Sequence, residues 1–221
     1  MTRERYSAYF KQLEKEVIGM TEMVVSATNR SVEALKARDI DMAERIIADD
    51  CLINKERWDI EEKCINLIAR QQPVASDLRE IIAVFSIITD LERMGDYAEG
   101  IAKIVVLLGT EPLVKPLVSI PIMAERAISM LNRSIEAFIK RDDQTARLIC
   151  KEDDEIDFLY DQVYRELLTY MIEKPAIISR ATYLIWAAHN IERIADRVTN
   201  ICERIVFLCT GVMQEIGVSK Y

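Results

Sequence analysis

Apolar residues recur every three or four positions along most of the chain. One stripe runs Leu78, Ile81, Phe85, Ile88, Leu91, Gly95, Ala98, Ala102, Val105 and Leu108. A second runs Ile178, Ala181, Ile185, Ala188, Ile191, Ala195, Val198, Cys202, Ile205 and Leu208. This is the period of a helix with one apolar face, and stripes this long predict long antiparallel helices packed in a bundle. Ahead of each stripe a narrower seam repeats every seven residues. In the first half it is Ile46, Ile53, Ile60 and Leu67, accompanied by Ala43, Asp50, Arg57 and Cys64. In the second it is Ile149, Ile156, Val163 and Tyr170, accompanied by Ala146, Asp153, Tyr160 and Leu167. An aspartate therefore stands in the apolar seam of both halves, at matching places.

The two halves match in other respects. Asn29-Arg30-Ser31-Val32-Glu33-Ala34 recurs as Asn132-Arg133-Ser134-Ile135-Glu136-Ala137, and Arg38-Asp39 recurs as Arg141-Asp142, both at an offset of 103. Pro73 is answered by Pro175, and Glu92-Arg93-x-x-Asp96 by Glu192-Arg193-x-x-Asp196. Four ordered matches with little drift indicate an internal duplication. The units are residues 1–110 and 118–221, joined by a linker carrying Pro112 and Pro116. Each reads as three helices, with Pro73 and Pro175 opening the third, where a missing N–H does no harm. The predicted fold is all-α: two tandem three-helix bundles, six long helices in all. Gly95 and Gly100, inside a helical stripe, point to close approach of a neighbouring helix.

Composition agrees. Five prolines and six glycines in 221 residues leave little room for the turns of a sandwich or barrel. No apolar run approaches the ~20 residues of a membrane span, and the start of the chain lacks the apolar run of a signal peptide. Cysteines 51, 64, 150, 202 and 209 are an odd number, mostly within apolar helical patterns. That suits buried thiols in a reducing cytoplasm. The 29 basic and 37 acidic residues give a net charge of −8, which makes nucleic acid and anionic lipid poor partners.

The acids are not all surface. Counted from Pro73, Asp50 lies 23 residues before and Asp96 23 after, with Asn54 and Glu92 at 19 on either side. Counted from Pro175, Asp153 and Asp157 lie 22 and 18 before, while Glu192 and Asp196 lie 17 and 21 after. An antiparallel pair of helices would bring these groups to common heights, about 30 Å from the turn, and the i, i+4 spacing puts each pair on one helix face. Unpaired carboxylates in a seam are costly and call for a cation, hydrogen bonds or water. Oxygen-only donors suit magnesium, calcium, manganese or iron-type ions. The alternative is that Arg93 and Arg193 simply pair with Asp96 and Asp196 at i+3. Asn54, standing where the second unit has Asp157, makes the first group the weaker.

Several residues take plain assignments. His189, the only histidine, borders the second group and is assigned local hydrogen bonding. Trp58, Trp186 and the methionines are assigned to core or groove packing, and Asp77 to the first turn of a helix, where the dipole favours an acid. No phosphate loop, nucleophile elbow, Cys-x-x-Cys or His-Glu-x-x-His is present. One histidine also rules out the paired Glu-x-x-His of a di-iron bundle. No arrangement of these residues supports covalent or acid–base catalysis.

Three segments carry a family resemblance. They are Pro73-x-Ala75-x-Asp77-Leu78-Arg79, Leu91-Glu92-Arg93-Met94-Gly95-Asp96-Tyr97-Ala98, and Asn190-Ile191-Glu192-Arg193-Ile194-Ala195-Asp196-Arg197-Val198-Thr199-Asn200-Ile201. With the duplicated three-helix unit, these resemble the PhoU family of bacterial phosphate-signalling regulators over essentially the whole chain. The resemblance implies a repeated acidic motif holding metal ions (iron, zinc, manganese or magnesium) at Asp50, Asn54, Glu92, Asp96, Asp153, Asp157, Glu192 and Asp196. Asn54 departs from the motif, and Asp77-Leu78-Arg79 has no copy at Ser179-Arg180-Ala181. It further implies a cytoplasmic homodimer that damps phosphate uptake and the phosphate-starvation response. Its contacts would be the ATPase subunit of the phosphate ABC transporter and a sensor histidine kinase, so that it meets the membrane only through partners. A metal-binding or metal-buffering helical adaptor unconnected with phosphate is the alternative.

Overall fold

The computed structural model describes residues 3–216. Six long helices account for nearly all of it: α1 (Arg3–Ala37), α2 (Ile40–Gln71), α3 (Ser76–Leu108), α4 (Ser119–Lys140), α5 (Asp143–Glu173) and α6 (Ile178–Thr210). Among the described residues there is no strand, and no helix is long and apolar enough to cross a membrane.

The recurring segments build the same joint twice. Ser31 and Ser134 are fully buried, and each donates to a carbonyl three residues back, on Thr28 and Leu131 at 2.9 and 2.8 Å. Arg30 and Arg133, one position earlier, reach the next helix to pair with Asp49 and Glu152 at 2.8 and 2.7 Å. The helix then ends on Arg38 or Arg141, whose φ of 59° or 56° is left-handed. The N–H of the following aspartate returns to the carbonyl of Ala34 or Ala137, at 3.0 and 2.9 Å. That closes the last turn in the manner of a Schellman cap. Asp39 and Asp142 then cap the next helix, accepting from the backbone N–H of Met42 and Thr145 at 2.8 and 3.0 Å, a bond typically worth about 1 kcal/mol. Arg-Asp is thus the whole link between two long antiparallel helices.

The second joint differs between units. Pro175 opens a short 3-10 turn, Pro175–Ile177, that runs into α6. Pro73 does not open α3 as the sequence suggested. It lies in the loop ahead, where Gln72 and Ala75 both take positive φ, 48° and 47°, before the helix starts at Ser76.

α3 and α6 form the middle of the molecule and pack against each other as well as against the helices of their own unit. This accounts for their burial beyond a single stripe: Ala83, Val84, Ile87, Met94 and Ile101 are buried in addition to the heptad positions. α2, covered on one side only, buries just Ala43, Ile46, Ile53, Ile60, Cys64 and Leu67. A single apolar core extends through both units. The α3–α6 crossing is antiparallel. Asp90 meets Asn200 (3.4 Å), while a Cβ on Gly100 would stand 3.2 Å from Asn190. These two pairs are duplicates of each other, so the units face one another across a pseudo-two-fold axis. Both interior glycines serve close approach, since a Cβ on Gly95 would stand 3.1 Å from Ile53 of α2.

Two packing expectations fail. Trp58 and Trp186 are 61% and 51% exposed, not core; both fall off the seam positions of their helices. Cys64, Cys150 and Cys202 are buried as expected, but Cys51 and Cys209 are exposed.

Candidate metal centre

The second unit concentrates buried negative charge. Asp153 and Asp157 on α5 and Glu192 on α6 are 9, 8 and 4% exposed, and Asp196 lies one turn beyond Glu192 on the same face. Asp153 Oδ1 is fully buried and has no hydrogen-bond partner among the described residues. Glu192 Oε2 lies 3.2 Å from His189 Nδ1, yet without the alignment of a hydrogen bond. Burial, then the charge of Arg193, also pulls the His189 imidazole below its ordinary pKa. Burial first, then the charges of Asp157, Asp196 and Glu192, pushes Asp153 up to about 7. Burial first, then Asp196 and Asp157, does the same for Glu192, also to about 7. Asp196 is raised by burial too, against Arg193, Arg197 and His189, which favour its ionised form.

The first unit is milder. Asp50 on α2 accepts from Asn54 Nδ2 at 2.8 Å. On α3, Arg93 pairs with Asp96 at 3.0 Å and stands 3.5 Å from Glu92. Asp50 is still raised, first by burial and then by Glu99, Asp96 and Glu92. Glycine at 95 lets α2 come close here, because a Cβ there would crowd Ile53 at 3.1 Å, with Asp50 Oδ1 next at an ordinary contact distance of 3.5 Å. Asn54 therefore replaces a fourth carboxylate with an internal hydrogen-bond donor. An open groove of about 380 Å³ beside this group is lined by Gly19, Asp49, Asp50, Gly95 and Glu99, among others.

The structure thus brings Asp50 and Asn54 against Glu92 and Asp96, and Asp153 and Asp157 against Glu192 and Asp196. The i+3 ion pairs also form, Arg93 with Asp96 and Arg193 with Asp196, the latter at 2.8 Å. In the second unit Arg193 leaves Asp153 Oδ1 and Glu192 Oε2 without a hydrogen bond. Among the described residues no three acidic, histidine or cysteine side chains converge ready to hold an ion as they stand. Asp153 Oδ1 and Glu192 Oε2, buried without hydrogen bonds, and the all-oxygen donor set suit a hard cation.

Sequence reasoning missed three participants. Glu99, one turn past Asp96, adds charge to the first group and is held by Lys103 at 2.6 Å. Asp90, 8% exposed, is buried in the α3–α6 crossing against Arg197 at 3.5 Å and Asn200. Tyr97 accepts from Arg197 at 3.4 Å and from Arg193, so a phenol of the first unit touches the arginine that pairs with Asp196 of the second. The doubled Glu-Arg-x-x-Asp could have pointed to Tyr97 and Arg197, which each follow its final aspartate directly.

Comparison with known proteins agrees with this duplicated architecture. The PhoU domain model matches twice, over residues 17–105 and 120–205. A protein of Aquifex aeolicus named as a phosphate-specific transport system accessory protein PhoU homolog is 42% identical over 205 residues, covering 91% of this chain and 93% of that protein. A homolog of the same name from Clostridium acetobutylicum is 38% identical over 98% of this chain and 100% of its own length. The crystal structure of PhoU from Pseudomonas aeruginosa superposes with a TM-score of 0.88 at 33% identity, covering 94% of this chain and all of that one. The chain belongs to the PhoU family.

Proposed function

We propose that this protein is a cytoplasmic, non-enzymatic regulator that damps phosphate uptake and the phosphate-starvation (Pho regulon) response. It acts by contact with the ATPase subunit of the phosphate ABC transporter and with a PhoR-type sensor histidine kinase. The observation that carries this reading is similarity along almost the whole chain, through both repeats, to proteins named as accessories of phosphate-specific transport. Fold alone would not support a function; identity at this level over both units does.

In this reading the acidic groups bind cations and the helices respond. Asp153, Asp157, Glu192 and Asp196 hold the ion in the second unit, and Asp50, Asn54, Glu92 and Asp96 in the first. The cation supplies positive charge between facing helices; the carboxylates supply the oxygens and, once neutralised, stop repelling. α5 is thereby drawn to α6 and α2 to α3, and the outer helix faces take the shape that a partner recognises. Iron, zinc, manganese and magnesium are the candidate ions, with the hard ones favoured by the donor set.

Affinity purification from phosphate-replete cells tests the partners, with the transporter ATPase the expected co-purifying protein. Deletion of the gene should raise phosphate uptake and starvation-gene expression in replete medium. If both stayed at wild-type levels, the proposal would fail.

A further inference from the structure

The second unit holds a pair of thiols that the proposed function does not use. Cys150 on α5 and Cys202 on α6 are 5% and 0% exposed. Cys150 Sγ lies 3.9 Å from the carbonyl oxygen of Thr199, one turn before Cys202. Thr199 and Cys202 share a face of α6, which brings the two thiols near enough for each to shift the other's titration. Counted from Pro175, Cys150 is 25 residues before and Cys202 27 after, so they form one layer of the bundle. The corresponding positions of the first unit, Ile47 and Ala102, carry hydrocarbon. The fold therefore needs no sulfur at this layer, yet one unit places two buried sulfurs there on facing helices.

We propose that Cys150 and Cys202 form a reversible oxidation site, closing to an intramolecular disulfide that staples α5 to α6 when the protein meets a peroxide. The Cys150 sulfur attacks one peroxide oxygen, the O–O bond breaks, and water leaves behind a sulfenic acid on Cys150. The Cys202 sulfur then attacks that sulfenic sulfur. The S–S bond forms, the hydroxyl departs with the Cys202 proton as a second water, and two electrons in all have passed from the sulfur pair to the peroxide. A dithiol reductant reverses the step by thiol–disulfide exchange.

The order of attack follows from the surroundings. The hydrogen bond with Cys150, then burial, holds the Cys202 thiol well above its ordinary range. That same bond holds Cys150 below its own, against burial. Cys150 is also the less deeply buried of the two. A sulfenic acid formed beside a second thiol condenses to a disulfide instead of continuing to the sulfinic stage. Asp153 is one turn from Cys150, so the staple would fix the spacing of the helices that carry the second acidic group.

The full-length wild-type protein, treated with hydrogen peroxide and alkylated before unfolding, tests this by peptide mapping without reduction. A peptide pair joining Cys150 to Cys202 is expected, lighter by two hydrogens than its reduced parts and lost on adding dithiothreitol. Cys202→Ala should abolish it, with Cys150 then found as sulfenic or sulfinic acid. A higher melting temperature for the oxidised wild type, absent in the variant, is the second expected result. Recovery of Cys150 and Cys202 as free thiols while exposed Cys51 and Cys209 are oxidised would overturn the proposal, as would pairing of either buried thiol with Cys64. This readout requires no metal ion and no partner, so it is independent of the regulatory reading.

Discussion

Replacing Asp153 by asparagine should stabilise the cation-free protein at pH 8, although it removes a native side chain from the interior. Asp153 titrates at about 7 in the fold against an ordinary 3.8. A raised acid binds more protons folded than unfolded between these values. Its folding penalty is therefore absent below about pH 4, grows with rising pH, and is complete above about pH 7. The difference corresponds to roughly 4 kcal/mol at full effect. Asp157, Glu192 and Asp196 remain in the variant, and the new amide must find an acceptor, as Asn54 does on Asp50. About half of that figure, ~2 kcal/mol, is the expected gain, or ~4–8 °C in melting temperature for a chain of this size. Circular-dichroism melts in chelator at pH 8 and pH 5.5 measure it. Wild type should melt higher at pH 5.5 than at pH 8, and the variant should lose much of that difference. Excess manganese at pH 8 should then raise the wild type more than the variant. A variant that melts lower than wild type at pH 8 in chelator would refute the account of buried, mutually repelling carboxylates.

Other expectations follow from the same geometry. Asp196→Asn should weaken manganese binding at least about tenfold by calorimetry, through loss of a charged donor, whereas Asn54→Asp should strengthen binding in the first unit. Gly19→Ala should stabilise by up to about 1 kcal/mol in urea titrations, because a methyl at Gly19 meets nothing within 4 Å and alanine is the better helix former. At Gly95 the same change should destabilise by about 1 kcal/mol or more, since the methyl crowds Ile53. Asp90→Ala should cost about 2–4 kcal/mol by leaving Arg197 and Asn200 without their acceptor in the seam.

Much of this was legible because the duplication supplied its own control. A residue type kept at the same offset, such as Ser31 and Ser134 or Asp50 and Asp153, marks a position where packing or chemistry constrains both units. The heptad seams gave helix number and register, and counting from the prolines gave the facing acids. What escaped depends on distances the chain does not announce. Asp90 ends an apolar run and looks like a surface boundary, yet its partners Arg197 and Asn200 lie 107 and 110 residues away. Proline is well suited to a helix start, but at Pro73 the left-handed conformations of Gln72 and Ala75, non-glycine residues that leave no trace in composition, delay the helix to Ser76. Trp58 and Trp186, assigned to core or groove packing, sit off the seams of their helices and are exposed.

The pseudo-two-fold crossing of α3 and α6 also decides which surfaces recognise one another. At the axis the duplicated positions are Tyr97 and Arg197, a phenol accepting from a guanidinium. Away from it, Asp90 meets Asn200 while its counterpart Asn190 lies over Gly100. Two copies of the first unit joined by the same operation would set tyrosine against tyrosine and leave Asp90 beside Gly100 with no cation. Two copies of the second would set Arg197 against Arg197. Each half is therefore mismatched to itself and matched to its sibling, a discrimination that rests on repulsion as much as attraction. The crossing therefore favours the pair encoded on a single chain over two identical halves. Exchange of halves between neighbouring molecules would keep the correct pairing, but a lone half would find no good partner in its own kind.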